Sequence, residues 1–528
     1  LMFIPQQPVT NGSIKVKAMS RGIQLGTLTM SSPEYLPATD QPLPDPRGTV
    51  NYSTKAWSVK LPANWMQAGL SLQFVRTADG TSGELAANDI EFGASTSLTL
   101  QSLRLGMLTQ PVQEENNWWE LQPGISLLDY YQKIPVTKMT IGYYLPVYFS
   151  KVVLPNGKIY TTASEDSGGE YEGDMREYIA KLLVSHGINF ASFGLNSSQA
   201  DELSPFTGRW DSDKRYFTQI TFHLAQGNYA NGVIGHGLSG GNGMATLFSS
   251  QGNEFSHEIG HNFGLAHYIS YNSSQPLSEY SAFHHPQSSW GYDAYRNRMI
   301  GNIGWDFPEN GNVEGKKPPV YRDQFYFNWD PMSGGEPRGV VSKFTHHTGW
   351  AASQIQKFLE NGSELDVNGT YLRWNAASKS MEPDLIAKPR PARIGIPVMT
   401  LIGYYDPQGS LPTTIYPPLW GSHGNTFAPS TSASPDDCRL RAYTSSDESN
   451  FSDYALENQR FDTPQMNKFH VNFAMDALPV QVSILCKNQA NQLQKLDSIN
   501  IVHPAVRPRQ AMTVGGGFGI SQALKQVK

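Results

Sequence analysis

Cysteine is nearly absent: the 528 residues contain two, Cys438 and Cys486, both in the last quarter of the chain. Neither adjoins a CxxC or a histidine cluster, which argues against a cysteine-based metal site. The residues alone leave two readings open, a pair of buried thiols or a disulfide of an exported protein. If bridged, the pair would stabilise the fold by about 4 kcal/mol in the chain-entropy model. No run of eighteen apolar residues exists, so no transmembrane segment is expected. There is no long basic run with interleaved aromatics and the net charge is only −6, so nucleic acid is not expected as a partner. The opening LMFIPQQPV has neither a basic start nor a long apolar core. It reads as the start of a mature or trimmed chain and not as a complete signal peptide.

What the chain does contain is turn-forming residue and short strand. Aromatics make up 11%, with 48 Gly and 35 Pro, against 16% charged residues. That balance fits a globular protein of many short strands, and the length predicts two to four domains. From about residue 12, SIKVKAM, WSVKLP, LSLQFV and SLTLQSLRL alternate with period two, the pattern of half-buried strands. An all-β, sandwich-like accessory domain is expected over residues 1–126. Helical spacing then enters: DMREYIAKLLVSHG predicts a helix stopping at Gly187, and SKFTHHTGWAASQIQKFLENG a second Gly-terminated helix. The strand YFTQITFHLA and a long loop-rich stretch from Tyr268 complete a mixed region, 127–395. Strands return after it in VMTLIGYYD, CRLRAYT, KFHVNFAM and VQVSILCK, predicting a C-terminal β domain over 396–528.

The chemistry is concentrated in NEFSHEIGHNFGLAHY, Asn253 to Tyr268. On a helix, positions i and i+4 share a face, so His257 and His261 can direct their imidazoles at one point. Gly264 tolerates the left-handed conformation that ends a helix and turns the chain back. His267 can then complete a three-nitrogen face. Three neutral imidazoles with an open fourth position suit a single catalytic Zn²⁺. Glu258 cannot easily share that point but can act on water there, as the general base of peptide hydrolysis. Any one of these histidines alone would be read as a core residue; all three with Glu258 and Gly264 would not.

HExxHxxGxxH followed by a methionine turn is the metzincin pattern, and NWDPMSGG supplies the turn at Met332. The chain further resembles the StcE/TagA-like secreted bacterial zinc proteases that cut mucin-type glycoproteins. The resembling segments include YYQKIPVTKMTIGYY, LVSHGINFASFGLNSS, GNYANGVIGHGLSGG, SSWGYDAY, WNAASKSMEP, VMTLIGYYDPQGSL, DDCRLR and MNKFHVN, spread over roughly residues 127–490. The resemblance implies a multidomain α+β fold, with a metzincin-type protease domain flanked by N- and C-terminal β-sandwich-like domains. It implies His257, His261 and His267 as zinc ligands, Glu258 as base, and Met332 as an apolar floor beneath the metal. Tyr268 is implied as a hydrogen-bond donor to the oxyanion, and Cys438–Cys486 as a disulfide. Extracellular location, a monomer, and mucin-like O-glycosylated protein substrates follow from the same resemblance. The glycine-rich segment around His236 is expected to form the rim where an extended peptide pairs, with His236 itself not a ligand. His284–His285 and His346–His347 are expected to be structural.

Two departures from the family stand out. Only a short Pro/Lys/Arg linker follows SMEP, where some relatives carry an inserted domain. Glu170–Tyr171 replaces a Trp-His pair, which bears on glycan preference if that pair touches glycan. Two rival functions remain: an endopeptidase without glycan requirement, and a glycan-binding adhesin with a vestigial protease domain, against which Glu258 argues.

Overall fold

The computed structural model describes residues 1–41, 48, 50–201, 219–268, 282–285, 291–304, 320–321, 325–337, 339–340, 342–385, 389–430, 438–488, 490 and 492–516. Much of the loop-rich stretch expected from Tyr268 therefore lies outside the described residues, as does the start of SSWGYDAY. The described chain is mostly β with few helices, arranged around several separate apolar clusters.

Alternation builds the first sheet. In Ile14–Ser20, Ile14, Val16 and Ala18 are buried while their neighbours are not fully so. The strand pairs antiparallel with Ile23–Thr29 on one side and Leu70–Arg76 on the other, and Ser82–Leu85 extends the sheet. Trp57, Trp65, Leu72 and Phe74 close its apolar side.

Ser97–Met107 reads like one more strand of that region but runs in the interior of an eight-stranded sheet. The main path of this sheet is Ser239–Gly241, Met244–Thr246, Gln219–Tyr229, Ser97–Met107, Lys138–Tyr143 and Met512–Gly515. Its inner four strands are parallel, and the two outermost are antiparallel to their neighbours. The sheet thus crosses both expected boundaries, 126/127 and 395/396. Strand Ser97–Met107 misleads because its alternation changes phase. Leu98 and Leu100 enter one apolar cluster; Leu103, Leu105 and Met107 enter the other. A strand covered on both faces has no solvent side to keep polar. The polar residues at the phase change are buried and paired. Gln101 Nε2 donates to the His423 carbonyl (2.9 Å), and Ser102 Oγ accepts from Asn117 Nδ2 (2.9 Å).

Helices Pro123–Tyr131, Gly252–His261 and Gly349–Glu360 contribute to the cluster on one face of this sheet. Trp119 lies within it, with the rings of Tyr130, Phe222, Phe255 and Phe344 at 5.2–6.2 Å. The other cluster takes Ile179, Leu183, Val184 and Ile188 from a helix that is π-helical over Arg176–Ser185 and continues as His186–Ala191. The stop expected at Gly187 does not occur. There the missing side chain admits Ile402, whose Cγ2 lies 2.8 Å from where a Cβ would stand. Close packing, and not helix termination, accounts for this glycine.

Two antiparallel sheets follow. One is built on Arg393–Tyr405 and Asn467–Ala474, the other on Cys438–Tyr443 and Gln481–Lys487. Met399, Leu401, Phe469 and Val471 of the first meet Leu440, Val482 and Ile484 of the second in one cluster. Cys438 and Cys486 are disulfide-bonded within it. No helix among the described residues is long and apolar enough to cross a membrane.

Candidate metal centre

The helix Gly252–His261 is anchored by its apolar side, where Phe255 and Ile259 are fully buried in the aromatic cluster. That leaves His257 and His261, one turn apart, half-buried at the opposite side. The chain then turns at Gly264, whose φ of +75° is the left-handed value expected there. His267 returns to the same point. The three Nε2 atoms lie 3.0–3.1 Å from one another.

Their other nitrogens decide what those atoms can be. His257 Nδ1 donates to the Pro331 carbonyl and His261 Nδ1 to the Leu265 carbonyl, both at 2.8 Å. A carbonyl accepts only from a protonated nitrogen, so both Nε2 atoms of the neutral rings carry lone pairs. Burial, with the neighbouring histidine charges, holds both pKa values down, that of His261 to about 4. Neutral imidazole lone pairs converging at this separation repel unless a cation lies between them. The donor set, three imidazoles and no thiolate, fits Zn²⁺.

Glu258 lies on the same helix, 4% exposed, and lines the same cleft as the histidines. Burial and the nearby Glu254 push its carboxyl up to about 8; a cation at the histidines would pull it back down. The cleft has a volume of about 610 Å³, and Leu238, Ser239, Gly240, Tyr171, Asn253, Glu254 and Gly334 also line it. Ser239–Gly241 is the edge strand of the central sheet. Gly240 is required there, because an added Cβ would sit 2.0 Å from the Glu258 carbonyl oxygen.

The turn at Met332 is assembled by Asp330, whose role the motif spacing does not reveal. Its buried carboxylate accepts from Met332 N (2.9 Å) and Thr348 N (2.8 Å). This is an N-cap on the short 3₁₀ turn Pro331–Ser333, and Asp-Pro ahead of a turn is a readable signal for it. Met332 is 1% exposed, with its sulfur against the helix at Gly260, where a Cβ would be 2.7 Å away. The turn also holds ligands: Pro331 O accepts from His257, and Met332 O accepts from Tyr268 N (3.4 Å).

Glu254 was also missed. Its carboxylate accepts from Phe248 N, Ser249 N and Leu238 N (2.7–3.3 Å), which ties the cleft rim to the helix. An acidic residue one turn before HExxH carries no signal of that long-range role.

Tyr268 does not reach the cleft. Its ring is 2% exposed and packs edge-on against Trp350 at 5.2 Å, and its hydroxyl has no hydrogen-bond partner among the described residues. The backbone geometry that returns His267 to the helix turns the next side chain inward. The Tyr268 hydroxyl, expected to face the oxyanion, does not line the cleft among the described residues. His236 is not grouped with the metal-site histidines: Nδ1 donates to Gly169 O (2.8 Å) and Nε2 is 2.9 Å from Tyr229 Oη. His284 Nε2 donates to His346 O (2.7 Å), and the two rings stack at 5.5 Å, away from the cleft.

The arrangement is a histidine triad able to hold a metal ion, on a helix packed against a mixed sheet. Sequence comparison agrees with it: residues 47–364 match the peptidase M66 family, and the chain belongs to that family. Residues 389–486 match the ToxR activated gene A lipoprotein domain. Over 424 residues the chain is 37% identical to the ToxR-activated gene A lipoprotein of Vibrio cholerae, covering 79% of this chain and 40% of that protein. It is 30% identical to the metalloprotease StcE of Escherichia coli O157:H7, over 83% of this chain and 58% of that one. Dictomallein of Burkholderia pseudomallei is 22% identical over 79% of this chain and 61% of its own length. The chain thus spans from two fifths to about three fifths of these relatives.

Proposed function

We propose that the chain is a secreted zinc endopeptidase of the metzincin type that hydrolyses mucin-like O-glycosylated proteins. The observation carrying the peptidase reading is the convergence of three Nε2 atoms beside buried Glu258, in a cleft bordered by Ser239–Gly241, the edge strand of the sheet among the described residues. His257, His261 and His267 would hold the zinc ion. When bound, the ion supplies Lewis-acid polarisation of the scissile carbonyl and acidifies water.

The chain's own groups do the rest. An extended peptide adds to the edge Ser239–Gly241 by backbone hydrogen bonds, which orients it without reading its sequence. Glu258 takes the proton of the attacking water and delivers it to the leaving amine. The Met332 turn fixes His257 through Pro331 O. An acidic general base in this position would serve no purpose in a purely glycan-binding adhesin.

The mucin-like substrate class rests on the family resemblance. It fits a cleft that engages backbone along an open edge, since dense Ser/Thr-linked glycans leave the backbone as the accessible common feature. Digestion of a defined O-glycoprotein and its deglycosylated form, with mass-spectrometric mapping of the cuts, tests it. Chelator-sensitive cleavage confined to the glycosylated form is expected. Equal cutting of both would refute glycan selectivity, and no cutting of either would refute the peptidase.

A further inference from the structure

The edge strand at the cleft is short. Ser239–Gly241 has three residues and pairs with Met244–Thr246 through a tight turn, where Asn242 (φ +60°) and Gly243 (φ +82°) are both left-handed. An isolated hairpin of this kind is marginal in water, and the helix Gly252–His261 supplies support. At the middle of the strand, Gly240 lies on the Glu258 carbonyl, where an added Cβ would be 2.0 Å away. At the turn, Asn262 Oδ1 accepts from Gly243 N (2.7 Å), and its Nδ2 donates to Met244 O (3.0 Å) and Glu258 O (2.9 Å). The Gly243 carbonyl is held from the core side as well, accepting from Thr221 N (3.0 Å) and Asn189 Nδ2 (2.7 Å).

The entry end of the strand depends on Glu254. Leu238 precedes the strand at φ +49°, a left-handed conformation that a bulky side chain rarely takes. Such strain persists only where the surroundings hold it, and it gathers at ligand clamps. Here Leu238 N donates to Glu254 Oε1 (3.3 Å). The same oxygen accepts from Phe248 N (2.7 Å), and Oε2 accepts from Ser249 N (3.0 Å). The Phe248 ring covers Gly237, where an added Cβ would be 2.3 Å from it. Leu238 and Phe248 are 39% and 40% exposed, so core packing does not hold this corner. A carboxylate that collects three backbone N–H groups does, through bonds of the stronger, charge-assisted class. Glu254 stands one helical turn before Glu258, and both line the cleft with Leu238, Ser239 and Gly240.

We propose that Glu254 is a positioning residue that seats the entry end of the edge strand Ser239–Gly241 on the helix, holding the strand ready to pair with the substrate backbone. Without it, a bound peptide must order the strand before bonding to it, and that ordering is subtracted from affinity. The chemical groups keep their places, because His257 and His261 are oriented by the Pro331 and Leu265 carbonyls and not by Glu254. Affinity lost equally by substrate and transition state raises KM and leaves kcat unchanged. This assignment rests on the peptidase reading of the same site.

The test measures zinc content, kcat and KM of Glu254→Gln, Glu254→Ala and Leu238→Pro in the zinc-loaded full chain, using a defined O-glycoprotein. Gln keeps one acceptor oxygen and Ala none. Pro removes the Leu238 N–H and forbids a positive φ, while Glu254 stays in place. KM is expected to rise roughly three-fold for Gln and roughly ten-fold for Ala and Pro, the scale of one lost hydrogen bond. Zinc content and kcat are expected to match wild type. Adding Glu254→Ala to a Glu258→Ala chain should weaken binding of the uncut O-glycoprotein by the same factor. A Glu254→Ala chain with wild-type KM, or one that loses zinc or kcat at unchanged KM, would overturn the assignment. Should Glu254→Ala fail to fold, wild-type KM in both Glu254→Gln and Leu238→Pro would overturn it. A wild-type chain without metal-dependent cleavage would remove the peptidase reading and this assignment together; an active wild type whose variants keep its KM removes only the assignment.

Discussion

Asp330→Asn isolates the turn that supports the metal centre, because it alters one buried atom and no metal ligand. The Asp330 carboxylate is fully buried and accepts two backbone N–H groups, from Met332 and Thr348. Asparagine keeps one acceptor oxygen and turns an NH₂ toward the other donor. The variant loses one charge-assisted hydrogen bond and leaves a buried N–H facing another donor, which together cost about 3 kcal/mol. For a domain of this size that corresponds to a melting temperature lower by roughly 6–12 °C. The loss also reaches the metal, since Pro331, the next residue, accepts the Nδ1 proton that orients His257. Loss of such a supporting contact weakens metal binding by about 10–100-fold. Differential scanning calorimetry and competition with a chelator of known affinity measure the two effects separately. A variant with wild-type melting temperature and zinc affinity would refute the view that Asp330 builds the turn and the turn orients the ligand.

Two further outcomes follow from particular residues. Gly264→Ala places a side chain at φ +75°, costing about 1–2 kcal/mol; since the turn delivers His267, zinc affinity measured by competition should fall, and unchanged affinity would show that Gly264 is dispensable to the site. Acid should destabilise the fold through His223 and His470, which burial holds at about 3. Their folded pKa values lie below the ordinary value of about 6.5, so as pH falls the unfolded chain binds these protons first. The stability they contribute is complete above about pH 6.5 and is lost as pH falls toward about 3. Melting curves between pH 7 and pH 4 should shift downward, and replacement of either histidine by Gln should flatten the shift; pH-independent melting over that range would contradict the burial.

The convergence of the three histidines was legible because its logic is local. His257, Glu258, His261, Gly264 and His267 lie within eleven residues, and helical periodicity with one left-handed glycine is enough to converge them. Met332 was legible as a turn because DPMSGG supplies the methionine turn that the family pattern places after the histidine motif. What the sequence hid depends on remote packing. Ser97–Met107 looks half-buried until both of its faces are known to be covered. Gly187 looks like a helix stop until Ile402 is placed beside it. The strand Met512–Gly515 carries no sign that it closes a sheet begun four hundred residues earlier. The placement of Tyr268 and Tyr171 was hidden for the same reason. Adjacency to His267 suggested that Tyr268 enters the cleft, but the turn that returns His267 points Tyr268 into the core. Tyr171 reaches the cleft through an anchor at Asn231 and His236, some sixty residues away in sequence.

The central claim is that Glu258 performs chemistry beside a metal held by three histidines. Glu258→Ala, assayed for bound zinc by mass spectrometry and for cleavage of a defined O-glycoprotein, tests it most directly. The account predicts one zinc ion per chain, as in wild type, and turnover reduced by about 10²–10⁴-fold, the range of general acid–base contributions. Retained zinc with wild-type turnover would contradict it.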